Sequence, residues 1–321
     1  MELLYQMFPL ALMSAVPLIL GALGGLYSER CGIVNIAVDG TMQIGAFVAC
    51  CTIIFCERGG GPNTITPWLA LLVAIISGML FIAIHGVASI HFRADQTISG
   101  TALNVLAGGL TIYFCQILFD GKKQSDYYAM TSSFTRINVP ILKDIPVIGP
   151  MFFQNAYITT YIAFFLVVLT WYLVYKTPFG LRLRSCGEYP QASASMGVNV
   201  VKTRWKGLLI SGALSGLAGA VLIMTTSSYY YVGTVHGLGF VAIATLIFGQ
   251  WNPWGCLFAG IFFGFAQTLG YFSSSIPMLM GLPVEFYSIF PYVITIIALI
   301  LFSGRSMAPK ASGEIYDAGK R

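Results

Sequence analysis

Nine runs without a single Asp, Glu, Lys or Arg dominate this sequence: residues 7–26, 41–56, 68–90, 97–118, 157–175, 207–227, 232–249, 254–272 and 286–302. A helix rises about 1.5 Å per residue, so runs of roughly 20 residues match the ~30 Å of hydrocarbon in a bilayer. The runs lack the period-two alternation of barrel strands, and in lipid only helices and closed barrels satisfy every backbone amide. The expected fold is therefore an all-α polytopic membrane protein with about nine transmembrane helices. With 9% charged and 57% apolar residues, and a mean hydropathy of +0.79, a water-soluble fold of this size is excluded. Runs 41–56 and 232–249 adjoin Gly-containing polar stretches, and both are expected to be broken or partly re-entrant.

Catalysis has little support. No extra-membrane stretch exceeds about forty residues, and no Walker sequence or Gly-x-Ser-x-Gly elbow occurs. His85 and His91 lie six apart, off the i, i+4 spacing of a helical metal pair. The seven cysteines are irregularly spaced, and several of them (Cys50, Cys51, Cys115, Cys256) lie inside apolar runs as small hydrophobes. The chain is expected to be no enzyme and to bind no cofactor or metal. The first run lacks a basic flank and a small-residue cleavage site, so it is expected to be retained.

Basic residues near span ends stay in the cytoplasm. Lys176, Arg182, Arg184, Lys202, Arg204 and Lys206 fall between spans five and six, and Arg305, Lys310, Lys320 and Arg321 follow the last span. Four crossings separate the two groups, so both are cytoplasmic if the N-terminus is outside. Arg30 and Arg93 join the same side, giving twelve of the seventeen bases, while the remaining five are external. The external loop 119–156 offsets Lys122, Lys123, Arg136 and Lys143 with Asp120, Asp126 and Asp144.

Two blocks recur in the same order. Gly21-Ala22-Leu23-Gly24-Gly25 matches Gly212-Ala213-Leu214-Ser215-Gly216, and Pro67-Trp68, Leu71, Ile75 and Gly78 match Pro253-Trp254, Leu257, Ile261 and Gly264. Corresponding spans lie five crossings apart, an odd number, so spans 1–4 and 6–9 are expected to form an inverted repeat. Such repeats place a substrate near the bilayer midplane.

Three polar constellations interrupt the apolar pattern. Glu29 to Gly40, with Asn35 and Asp39, is either an unwound stretch facing a cavity or a capped turn with a surface ion pair. In the second, Arg93-Ala94-Asp95-Gln96-Thr97 precedes Asn104; Asp95 or Thr97 is an expected helix cap, and Asn104 either bonds a neighbouring helix or faces the pathway. The third comprises His236, Gln250, Asn252, Gln267 and Glu285 with Tyr229-Tyr230-Tyr231, the tyrosines falling where an interfacial aromatic belt is ordinary. The pathway candidates are Asn35, Asp39, Phe47, Gln96, Thr97, Asn104 and Gln267; Phe47 is placed to stack on a base or simply to pack.

The stretch from Lys176 to Asn199 contains Pro190 at a helix start and Gly197 at its stop, which bound a short Ala/Ser-rich cytoplasmic helix suited to seating in a partner's groove. Thr177-Pro178-Phe179-Gly180-Leu181-Arg182 followed by Gly187-Glu188, Ala192 and Gly197 resembles the ATPase-contacting loop of ABC-importer permease subunits, in the family of ribose, branched-chain amino acid and nucleoside permeases. Gln191-Ala192-Ser193 with Gly197 is a weak echo of the Glu-Ala-Ala-x-x-x-Gly pattern of importers. Glu29 to Gly40 and Gly45-Ala46-Phe47 resemble the nucleoside and simple-sugar branch signature, with Asp39 replacing a Glu.

The resemblance implies a bacterial multi-pass cell-membrane permease for nucleosides, with purine nucleosides such as guanosine foremost. ATP is then bound by a partner ATPase, which Glu188, Pro190, Ala192, Ala194 and Gly197 contact. A second, different and longer permease, a substrate-binding lipoprotein and membrane lipid complete the partners; no nucleic acid is expected. One permease domain spans 1–305: first repeat 7–118, external loop 119–156, linking span 157–175, coupling loop 176–206 and second repeat 207–302, before a cytoplasmic tail 306–321. A simple sugar such as ribose, or a branched-chain amino acid, is an alternative cargo. An ion-coupled secondary transporter is the alternative mechanism, and it would need deep ionisable residues that these spans lack.

Overall fold

The computed structural model describes residues 2–61, 63–140, 149–272 and 307–317, with helical positions at Ile289, Val293 and Ile296. The chain is mainly helical: α1 (Glu2–Arg30), α2 (Val38–Gly60), α3 (Thr66–Gly86), α4 (Gln96–Leu118), α5 (Ile158–Lys176), α6 (Pro178–Glu188), α7 (Pro190–Ser195), α8 (Val200–Thr226), α9 (Leu238–Phe248) and α10 (Pro253–Phe272). A π-helical turn, Val87–His91, extends α3. Among the described residues, α1 to α5 and α8 are long and apolar enough to cross a membrane. Arg136–Ile137 (β1) and Ala156–Tyr157 (β2) pair antiparallel in the 119–157 loop.

Local sequence explains the helix ends. The Asp95 side chain accepts from Ile98 N–H at 2.9 Å and starts α4, leaving Thr97 inside the first turn. Asn199 caps α8 through Lys202 N–H, and Asn252 accepts from Trp254 N–H as α10 begins. Such caps satisfy amides that have no intrahelical partner.

Helix α8 is central, packed on α1, α2 and α3. Close approach of backbones replaces the hydrophobic drive that lipid cannot supply. Gly45 of α2 and Gly78 of α3 meet the α8 backbone at Gly216 and Gly212, and Gly219 meets Met42, each at a distance that leaves no room for a Cβ. By contrast, α4 leaves Ile98, Val105, Tyr113 and Ile117 exposed.

Three expectations are corrected or sharpened. Helix α2 is continuous over Val38–Gly60, so 41–56 is not broken; the nonhelical stretch is residues 31–37, before it. Run 232–249 is broken, with nonhelical residues 227–237 followed by α9, whose 11 residues reach only about 16 Å. The 176–206 stretch contains α6 as well as α7, because Pro178 at its first position and the Thr177 side chain, accepting from Gly180 N–H, initiate an extra helix.

Run 286–302, Glu285, Lys143, Arg305, Lys320 and Arg321 lie outside the described residues, apart from exposed Ile289, Val293 and Ile296, whose spacing puts them on one helix face.

Candidate functional site

The nonhelical residues 31–37 are held because polar side chains from α3 and α4 replace missing helical hydrogen bonds. Gln96 Oε1 accepts from Val34 N–H at 2.7 Å, and His85 Nε2 lies 3.1 Å from Val34 C=O. A donor is needed at that carbonyl, so His85 carries its proton on Nε2, leaving Nδ1 to accept from Ser99 at 3.0 Å. Asn104 spans the junction, its Nδ2 donating to Ile36 C=O at 3.0 Å while its Oδ1 accepts from Gly40 N–H at 2.8 Å. Asn35 Nδ2 donates to Ser211 Oγ on α8 at 2.9 Å. Gly32, at φ 89°, supplies the left-handed turn that ends α1.

Asp39 lies in the first turn of α2, and its Oδ1 accepts from Gly239 N–H in the first turn of α9 at 2.9 Å. Two helix N-termini therefore converge on one carboxylate. Each N-terminus carries a partial positive charge, so the carboxylate offsets both. A Cβ on Gly239 would collide with the Asp39 backbone. Both starts lie against Gly21 of α1, whose Cβ position is 2.8 Å from Ala242 and 3.6 Å from Val38. Gly21 is about 14 Å along the helix from Arg30, about half a hydrocarbon thickness.

On the far side of this junction, Gln43 Nε2 donates to Val232 C=O at 2.9 Å, tying α2 to the nonhelical 227–237 stretch. Phe47 is buried and meets Tyr230 edge-to-face at 5.2 Å, so it packs in the core.

The structure thus brings Asn35, Asp39, Gln96 and Asn104 together around residues 31–40. Thr97 is exposed on α4, and Gln267 is half-buried on α10 with no hydrogen bond to this group. His85, Ser211, Gln43 and Gly239 also belong to the junction and were not legible as such. The signal that could have found Gly239 is its place immediately after a polar, Gly-containing stretch.

The 29–40 stretch is unwound at residues 31–37, but Glu29 and Arg30 form no surface ion pair among the described residues. Both are buried and both bond Trp251 in the α9–α10 turn, Arg30 Nη2 donating to its C=O at 2.9 Å and its indole N–H donating to the Glu29 carboxylate. Gln250 and Trp251 both adopt φ 52° there.

In the 176–199 stretch, Gly197 at φ 82° stops α7, and Val198 N–H bonds Ser193 C=O at 3.0 Å. Glu188, Ala192 and Gly197 are exposed and Ala194 is half-buried, flanked by exposed Tyr189 and Met196. Pro190 is buried, so it starts the helix and packs inward rather than presenting itself to a partner.

Residues 8–299 match the family described as branched-chain amino acid transport system / permease component. The chain is 45% identical over 320 residues to the guanosine ABC transporter permease protein NupQ of Bacillus subtilis, covering 100% of this chain and 99% of that one. It is 40% identical over 309 residues to the nucleoside ABC transporter permease protein NupC of Lactococcus lactis, covering 96% of each. To the guanosine ABC transporter permease protein NupP of Bacillus subtilis it is 29% identical over 289 residues, 89% of this chain and 78% of that one. No solved structure matches.

Proposed function

This chain belongs to the branched-chain amino acid transport system / permease component family, and from that premise we propose that it is the permease subunit of an ABC importer for nucleosides, purine nucleosides such as guanosine foremost. It is a multi-pass cell-membrane protein. The nucleoside assignment draws on NupQ and NupC, whose names specify guanosine and nucleoside transport. Two guanosine permeases, NupQ and NupP, in one organism support pairing with a second, different permease.

The observation that carries the reading is the convergence of the α2 and α9 N-termini on Asp39. Helices that begin inside the membrane, each preceded by a nonhelical stretch, are the elements transporters use near a midplane site. Long α1 and α8 each precede such a stretch, and α3 and α10 each carry a Pro in the first turn, which supports the inverted repeat and nine crossings. The Arg30 end, with α6, α7 and the tail, is then cytoplasmic. A separate ATPase pair drives transport by pressing on α7, whose movement passes to residues 31–40 and rocks the two repeats. Asn35, Asp39, Gln96 and Asn104 border the pathway by holding that segment in shape. A substrate-binding lipoprotein delivers the cargo from outside.

Uptake of radiolabelled guanosine by vesicles carrying the complete transporter tests the cargo. Unlabelled nucleosides are expected to compete at least tenfold better than ribose or leucine; the reverse order reassigns the substrate. Ala192→Arg puts a long cation on the exposed face of α7 and is expected to lower uptake at least tenfold at unchanged membrane abundance. Wild-type uptake by this variant would remove α7 from the ATPase contact.

A further inference from the structure

At the end of the molecule opposite Arg30, an open cleft of about 530 Å³ lies between the start of the 119–157 loop and the nonhelical 227–237 stretch. That size is within the roughly 300–1,000 Å³ of small-molecule sites. Ile112, Lys123, Gln124, Tyr231 and Gly233 contribute to its walls. The two walls are joined, since Gln124 and Tyr231 form an isolated backbone bridge and Ser125 N–H donates to Tyr230 C=O at 2.9 Å.

Tyr231 is not held as a belt residue would be. Its hydroxyl lies 2.7 Å from His236 Nε2, and its ring stacks on Tyr229 at 5.8 Å between centroids and 30° between planes. Tyr229 in turn meets the exposed Tyr127 ring at 4.7 Å. An interfacial belt asks only that amphipathic rings sit at the headgroup level. Here three rings form a ladder, with one end fixed by a histidine and also lining a cleft. A fixed aromatic ring beside an amide and an ammonium group is suited to a flat heteroaromatic ligand with hydrogen-bonding edges.

We propose that this cleft is an outer binding site for the base of an incoming nucleoside, with Tyr231 stacking on the base, Gln124 and Lys123 meeting its polar edge, and His236 positioning Tyr231. The site rests on the nucleoside reading above, and it precedes the Asp39 junction on the route inward, since the neighbouring Val232 carbonyl is the one bonded by Gln43.

The test uses proteoliposomes of the complete transporter, irradiated with a photoreactive azidopurine nucleoside, with labelled peptides mapped by mass spectrometry. Label is expected within residues 227–237 or 119–127, competed by guanosine and not by ribose. Tyr231→Ala should lower that labelling at least tenfold, and Tyr231→Trp should retain it. His236→Ala should lower it several-fold and His236→Gln, which can still bond the hydroxyl, should restore it. Wild-type labelling in Tyr231→Ala, or label confined to other segments while guanosine uptake proceeds, overturns the site and leaves the nucleoside reading standing. Absence of guanosine uptake together with competition by ribose overturns the nucleoside reading itself.

Discussion

Gly239→Ala is expected to abolish uptake, with at least a hundredfold loss, whereas Gly109→Ala leaves it unchanged. The added methyl at position 239 falls on the Asp39 backbone, while position 109 faces open space. Overpacking costs about 1–3 kcal/mol where side chains can shift. Here the obstacle is main chain, so the two helix starts must separate. Separation also breaks the 2.9 Å bond from Gly239 N–H to Asp39, and an unpaired buried donor costs about 1–3 kcal/mol more. Uptake by vesicles, normalised to membrane abundance, provides the measurement. Wild-type transport by Gly239→Ala would mean that the junction tolerates opening and that its closeness has no part in transport.

Removing residues 307–321 is expected to lower uptake at least tenfold while ATP hydrolysis by the assembled complex persists. The backbone of the described tail residues bonds four separate places: Met307 N–H to Gln250 Oε1 at 3.1 Å, Ala311 N–H to Gly187 C=O at 2.8 Å, Gly313 N–H to Gly32 C=O at 3.3 Å, and Glu314 C=O from Arg204 Nη1 at 3.0 Å. Each such bond contributes about 0.5–1.5 kcal/mol, the one to buried Arg204 more. The Arg93–Asp317 ion pair, at 3.2 Å and half-exposed, adds little. Together they tie the end of α6 to the glycine turn that opens the 31–37 stretch. In the transport cycle proposed above, a tail so placed would carry movement from α6 and α7 to the Asp39 junction, and its loss would uncouple them. Full uptake by the truncated protein would restrict the tail to a passive surface role.

Much of the architecture was legible because lipid imposes it. An uncharged run of helical length has one way to satisfy its amides in hydrocarbon, so α1, α3, α4, α5 and α8 follow from composition and length alone. Pro190 and Gly197 bounded α7 for equally local reasons, a fixed φ at the start and a left-handed residue at the stop. The 31–37 stretch was harder to read. Asn35, Gln96 and Asn104 stood out as polar residues beside or within apolar runs, but their hydrogen bonds to Ser211, Val34 and Gly40 span from 62 to 176 positions of chain. The partner of Glu29 and Arg30 was hidden for the same reason, since Trp251 is more than two hundred residues away.

By itself, the sequence determined that this is a helical membrane protein and where most of its long helices run, since these depend on interactions within a few residues and on the solvent around them. Only the tertiary structure decided that α2 and α9 start face to face on Asp39, that α8 is the central helix and that Gln96, Asn104 and His85 serve the backbone of an unwound segment. A buried polar group takes whichever partner packing brings within 3 Å, and residue type alone does not name that partner.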